Sequence, residues 1–178
     1  MNYIVTALKP EAQAFVDKYK LKKNKLADFT VYQNEQLVLI VSGLGIENAT
    51  LATQALLDNF NITDHDIFLN IGICGANRNH KIGDLLEISS IDYDGKIFKL
   101  NDKDGYTISC IDKEAYEATC EIVDMESYGF YRSFLHTTDN ARMFKVVSDH
   151  FEPHKVTKEK TKSLIFNAIE EILEKVRR

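Results

Sequence analysis

The sequence predicts an α/β fold, a largely parallel sheet covered by helices with antiparallel or mixed pieces in its middle. Three observations point there. Short apolar, β-branched runs alternate with helical patterns early in the chain, several strand runs are almost wholly apolar, and the chain closes on one long amphipathic helix. With 178 residues, 44% apolar and 28% charged, the chain suits one sizeable core and is short for two. Residues 1–178 are therefore expected to form a single domain.

Residues 3–8 give the first strand pattern, and Lys9-Pro10-Glu11 follows, where proline suits the first turn of a helix running through Phe15 to Tyr19. Residues 18–25 carry five lysines and read as a solvated connection. Residues 29–33 and 37–42 read as two strands joined by a hairpin turn at Asn34-Glu35. The glycine turn Ser42-Gly43-Leu44-Gly45 then opens a helix whose Ile46, Ala49, Thr53, Leu56, Leu57 and Phe60 follow helical spacing. Asn48 stands where the third glycine of G-x-G-x-x-G belongs, so the dinucleotide signal is weak. Residues 66–71 form a buried-looking strand that ends in Gly72-Ile73-Cys74-Gly75-Ala76, where small residues let a ligand approach the backbone.

Further on, residues 85–91 and 106–111 read as strands, with a turn at 92–95 and an exposed loop at 99–105. The apolar pair Ile122-Val123 runs into Asp124, Met125 and Glu126 and then into a helix reaching about His136. Thr138-Asp139-Asn140 turns the chain into a strand at 142–147. From Thr157 a helix carries Leu164, Ile165, Ala168, Ile169, Ile172 and Val176 on one face.

A net charge of -5 and the lack of a Lys/Arg stripe interleaved with aromatics argue against a nucleic-acid partner. Cys74, Cys110 and Cys120 form no C-x-x-C pair, so neither a disulfide framework nor a metal site is indicated, and they read as small residues of a reducing compartment. No apolar run reaches the length of a membrane span and the first residues carry no basic leader, so a cytoplasmic location without membrane contact is expected.

The chemistry is expected at the carboxyl ends of the strands, where open α/β sheets bind ligands. Glu11, Ser42-Gly43, Gly72 to Gly75, Glu126 and Asp149 all fall there. Glu126 and Asp149 close two apolar strands, an arrangement suited to acid/base work on one substrate. Glu11 sits in a first helical turn, where the helix dipole favours its charged form.

Ser42-Gly43-Leu44-Gly45-Ile46-Glu47-Asn48-Ala49, Asn70-Ile71-Gly72-Ile73-Cys74-Gly75, Ile82-Gly83-Asp84, Val123-Asp124-Met125-Glu126 and Val147-Ser148-Asp149 occur in an order that resembles the nucleoside phosphorylase and nucleosidase family, most of all the methylthioadenosine/S-adenosylhomocysteine nucleosidases. The resemblance implies an α/β fold on a mixed, partly closed sheet flanked by helices, a homo-oligomer with a dimer favoured, and cleavage of an N-glycosidic bond of a purine nucleoside or modified adenosine without metal or organic cofactor. It implies three catalytic roles: Asp149 donates a proton to purine N7, Glu126 bonds the ribose hydroxyls, and Glu11 helps to activate water. Met125, Ser148, Ser42, Gly43, Ile73, Cys74, Gly75 and Lys145 are the implied substrate-binding residues. Ile73 replaces the usual serine beside the water, and Lys145 replaces a common arginine. Tyr116 or Phe151 is the candidate to stack on the base. No arginine stands in the turn before Glu11 or just before Gly72, where the family's phosphorylases tend to carry one, so hydrolysis is favoured over phosphorolysis. A catalytically weak nucleoside-binding protein is the remaining alternative.

Overall fold

The computed structural model describes residues 1–134 and 140–177. His136, Thr138 and Asp139, expected at a helix end and a turn, lie outside the described residues. Among the described residues ten strands and four α-helices follow one another as β1 (Asn2–Thr6), α1 (Lys9–Tyr19), β2 (Lys22–Leu26), β3 (Phe29–Gln33), β4 (Leu37–Val41), α2 (Ile46–Asn59), β5 (Ile67–Ala76), β6 (Leu85–Tyr93), β7 (Lys96–Lys99), β8 (Tyr106–Cys110), β9 (Ile122–Asp124), α3 (Ser127–Arg132), β10 (Ala141–Asp149) and α4 (Lys158–Arg177), with a short 3-10 helix at Pro153–Lys155 before α4.

The parallel centre of the sheet is β4-β1-β5-β10, with β3 and β2 added antiparallel at one edge. β5 is the hinge of the topology. β10 pairs with one of its edges over most of its length, while β1 takes Ile67 to Asn70 and β9 takes Gly75 and Ala76 on the other. Because β10 also pairs with β6, β6 with β8, and β8 with β9, strands 5, 10, 6, 8 and 9 close into a ring. The mixed, partly closed sheet expected from the resemblance is present.

Alternation along the strands divides the core between two faces. Tyr3, Val5, Ile40 and Phe68 join Leu56 of α2 and Phe130 of α3, whereas Ile4, Leu39, Leu69 and Phe144 join Phe15 of α1 and Ile165, Ile169 and Ile172 of α4. Leu173 also turns inward on α4, beside the face read from the sequence. Among the described residues no helix is long and apolar enough to cross a membrane.

Three expectations need correction. The lysine-rich stretch is partly a strand: β2 pairs along β3 as the exposed sheet edge, where charged side chains hinder pairing with another chain. A short strand, β7, completes a hairpin with β6 just before the expected loop. Gly72 to Gly75 lie within β5 and not beyond its end.

Candidate active site

Parallel β1, β4 and β10 align their carboxyl ends and bring the segments after them to one side of the sheet; β9, antiparallel to β5, delivers Asp124, Met125 and Glu126 to the same cavity, and β5 runs beneath them. There a cavity of about 300 Å³ is lined by Leu8, Glu11, Leu44, Ile73, Cys74, Gly75, Met125, Glu126, Ser148, Asp149 and Phe151, with Asp124 and Val123 from β9 and Ile111, Glu114 and Ala115 from the connection after β8. Eight of the eleven residues singled out from the sequence line it. Ser42, Gly43 and Lys145 do not.

Ser42 and Gly43 shape the turn that carries Leu44. The Ser42 hydroxyl donates to the Thr6 and Gly43 carbonyls, and the Gly43 N-H donates to the Ala7 carbonyl. Gly43 has φ +88, a left-handed conformation that favours glycine. Lys145 is 1% exposed and sits below the cavity with its Nζ 2.7 Å from Asp124 Oδ2. Burial works against its charge, and the Asp124 and Glu126 carboxylates more than offset that, holding the ammonium above the usual lysine range.

Glu11 is buried at 1% exposure. Its two oxygens accept N-H bonds from Leu8, at 2.8 Å, and from Ile73, at 2.9 Å, tying the start of α1 to the middle of β5. Proline at the helix start leaves that turn free to be capped by a side chain. A Cβ on Gly72 would lie 3.0 Å from Glu11 Oε1 and 3.6 Å from Lys145 Nζ, so glycine within β5 makes room for both charges. The sequence reading kept Glu11 charged through the helix dipole. Burial is the larger effect and pushes its carboxyl up, partly offset by the two N-H bonds and by Lys145.

Glu126 stands where β9 passes into α3, and the Gly45 N-H at the start of α2 donates to its Oε1 at 2.9 Å. Burial, and then the Asp124 carboxylate, push it up to about 7. Gly129 permits this junction: a Cβ there would overlap the Ile46 carbonyl, so glycine lets α3 lie against α2. Asp124 lines the cavity and was not singled out from the sequence. It accepts from the Ser127 N-H and hydroxyl while holding Lys145. Its only sequence signal was a second acid, two residues before Glu126.

Asp149 ends β10, half-buried at the cavity wall. The Ser148 hydroxyl donates to Asp149 Oδ2 and the Glu152 N-H to its Oδ1, each at 2.8 Å. Glu126 follows β9 and Asp149 closes β10, and these strands flank β5 from opposite edges. Phe151 is buried in the cavity wall, whereas Tyr116 is 63% exposed and outside it. Cys74 and Cys110 are buried and burial raises both thiols, that of Cys110 to about 12. Among the described residues no cluster of three or more His, Cys, Asp or Glu is arranged to hold a metal ion.

Several solved structures share this architecture. A putative 5′-methylthioadenosine/S-adenosylhomocysteine nucleosidase from Francisella philomiragia has a TM-score of 0.80 at 15% identity, with 99% of this chain and 98% of that one covered. The nucleosidase of Colwellia psychrerythraea 34H, solved with adenine, has a TM-score of 0.75 at 20% identity, covering 95% and 94%. Futalosine hydrolase of Helicobacter pylori strain 26695 has a TM-score of 0.81 at 15% identity, covering 98% and 96%. At these identities the likeness establishes the fold. No curated protein sequence gives a significant match. Residues 3–126 match the family model of the phosphorylase superfamily, about two thirds of the chain, and the protein belongs to that superfamily, among enzymes acting on N-ribosyl bonds.

Proposed function

We propose that the protein hydrolyses the N-glycosidic bond of a purine nucleoside or modified adenosine. The observation that carries this reading is the pairing, in one cavity, of a half-buried acid with two buried carboxylates supplied by other segments. Asp149 protonates N7 of the base and so improves the leaving group. Glu126 bonds the ribose hydroxyls and offsets the positive charge that grows on the sugar as the bond from C1′ to nitrogen breaks. Glu11 takes the proton of the attacking water; the burial that raises its carboxyl also makes it a stronger base once ionised. Phe151 offers an aromatic wall for the base, and Met125 an apolar one for the sugar.

Water is favoured over phosphate as the nucleophile because no Lys or Arg lines the cavity among the described residues. Lys145, the nearest buried cation, is already engaged by Asp124. Phosphate would enter a site of carboxylates with no cation to receive it. The reading includes a cytoplasmic location and a homodimer; half-exposed Leu44 at the cavity and Leu51 on α2 offer apolar surface for the second copy.

Asp149→Asn and Glu126→Gln are expected to lose turnover by at least about 100-fold while keeping the wild-type circular dichroism spectrum. Near-full activity in either folded variant would refute the assignment.

A further inference from the structure

The cavity wall is more anionic than the proposed chemistry requires. Its carboxylate lining is Glu11, Glu114, Asp124, Glu126 and Asp149. Glu11, Glu126 and Asp149 serve the cleavage proposed above, and Asp124 holds Lys145. Glu114 is left over. It stands on the connection between β8 and β9, exposed to solvent on the cavity side. The Tyr116 hydroxyl donates to its Oε2 at 2.8 Å, and among the described residues no cation pairs with it. The Lys145 ammonium cannot compensate, since it is sealed below the cavity at 2.7 Å from Asp124.

We infer that Glu114 is a specificity-determining residue that admits uncharged or cationic nucleosides and turns away nucleosides carrying an anionic substituent such as a 5′-phosphate. The inference rests on the N-ribosyl cleavage reading and narrows its substrate class. A phosphate monoester carries nearly two negative charges at neutral pH. Each carboxylate facing it at about 6 Å through partly solvated space weakens its binding by roughly tenfold. A protonated amine in the same place, with half that charge and the opposite sign, gains by about threefold. An uncharged nucleoside feels neither effect and serves as the internal reference.

The test compares adenosine, 5′-amino-5′-deoxyadenosine and adenosine 5′-monophosphate on the full chain and on Glu114→Gln and Glu114→Lys. It measures kcat/KM by base release and, in parallel, equilibrium binding by calorimetry. Glu114 is exposed, so both variants are expected to fold. The wild-type protein should prefer adenosine over the monophosphate by at least about 100-fold, and Glu114→Lys should narrow that ratio by about tenfold or more, with Glu114→Gln between them. An unchanged ratio in Glu114→Lys, equal use of the monophosphate by the wild-type chain, or no binding of any of the three overturns the inference. Charge-selective binding without base release would uphold it and refute the cleavage reading, so the two failures are distinguishable.

Discussion

Glu11, Asp124, Glu126 and Lys145 put three carboxylates against one ammonium in the floor of the cavity, and the proton count of that group sets its behaviour with pH. Burial and Asp124 raise Glu126 from an ordinary 4.5 to about 7. A carboxyl raised in the folded state holds its proton more tightly there than in the unfolded chain. Its stabilising contribution is therefore full below about pH 4.5 and is lost as pH rises through about 7. Glu126→Gln removes that loss. Relative to wild type, the variant is predicted to gain on the order of 2 kcal/mol between pH 5 and pH 8 in urea melts; the same difference at both pH values would contradict the shift. Asp124 and Lys145 lie far apart in sequence, so their pairing was not legible there. Glu126 and Asp149 were legible because each closes an apolar run with an acid.

The elements act by fixing where those residues stand. α3 begins at the Glu126 junction and packs on α2, whose first turn supplies the Gly45 N-H to the same carboxylate. The contact depends on Gly129, whose missing Cβ leaves room for the Ile46 carbonyl. Gly129→Ala is predicted to cost on the order of 3 kcal/mol, read as a lower urea midpoint, and to reduce turnover through a displaced Glu126. Wild-type stability in that variant would contradict the packing. The parallel strands and α1, α2 and α4 were legible from their apolar periods. β2 was not, because an edge strand buries almost nothing and its lysines give no alternating pattern. β5 was cut short because glycine is read as a strand end, while here Gly72 and Gly75 clear space for side chains crossing the strand.

Across the whole molecule, the fold joins an open parallel sheet to a closed ring of strands through β5, and the cavity lies where the two meet. A core on each face holds that join rigid, which suits a site whose acid and bases come from separate segments. The closure follows from pairings between distant strands and from β9, three residues long, so no local pattern announces it. Resemblance to the family supplied it; Ser42 and Gly43, singled out with the other strand-end residues, build the turn that carries Leu44 to the cavity. The central claim is tested most directly by incubating the protein with methylthioadenosine, adenosine, inosine and uridine, each with and without phosphate, and measuring free base and sugar product. Release of purine at equal rates with and without phosphate, leaving the free sugar, is the predicted result. Strict dependence on phosphate, with a sugar 1-phosphate as product, would contradict it.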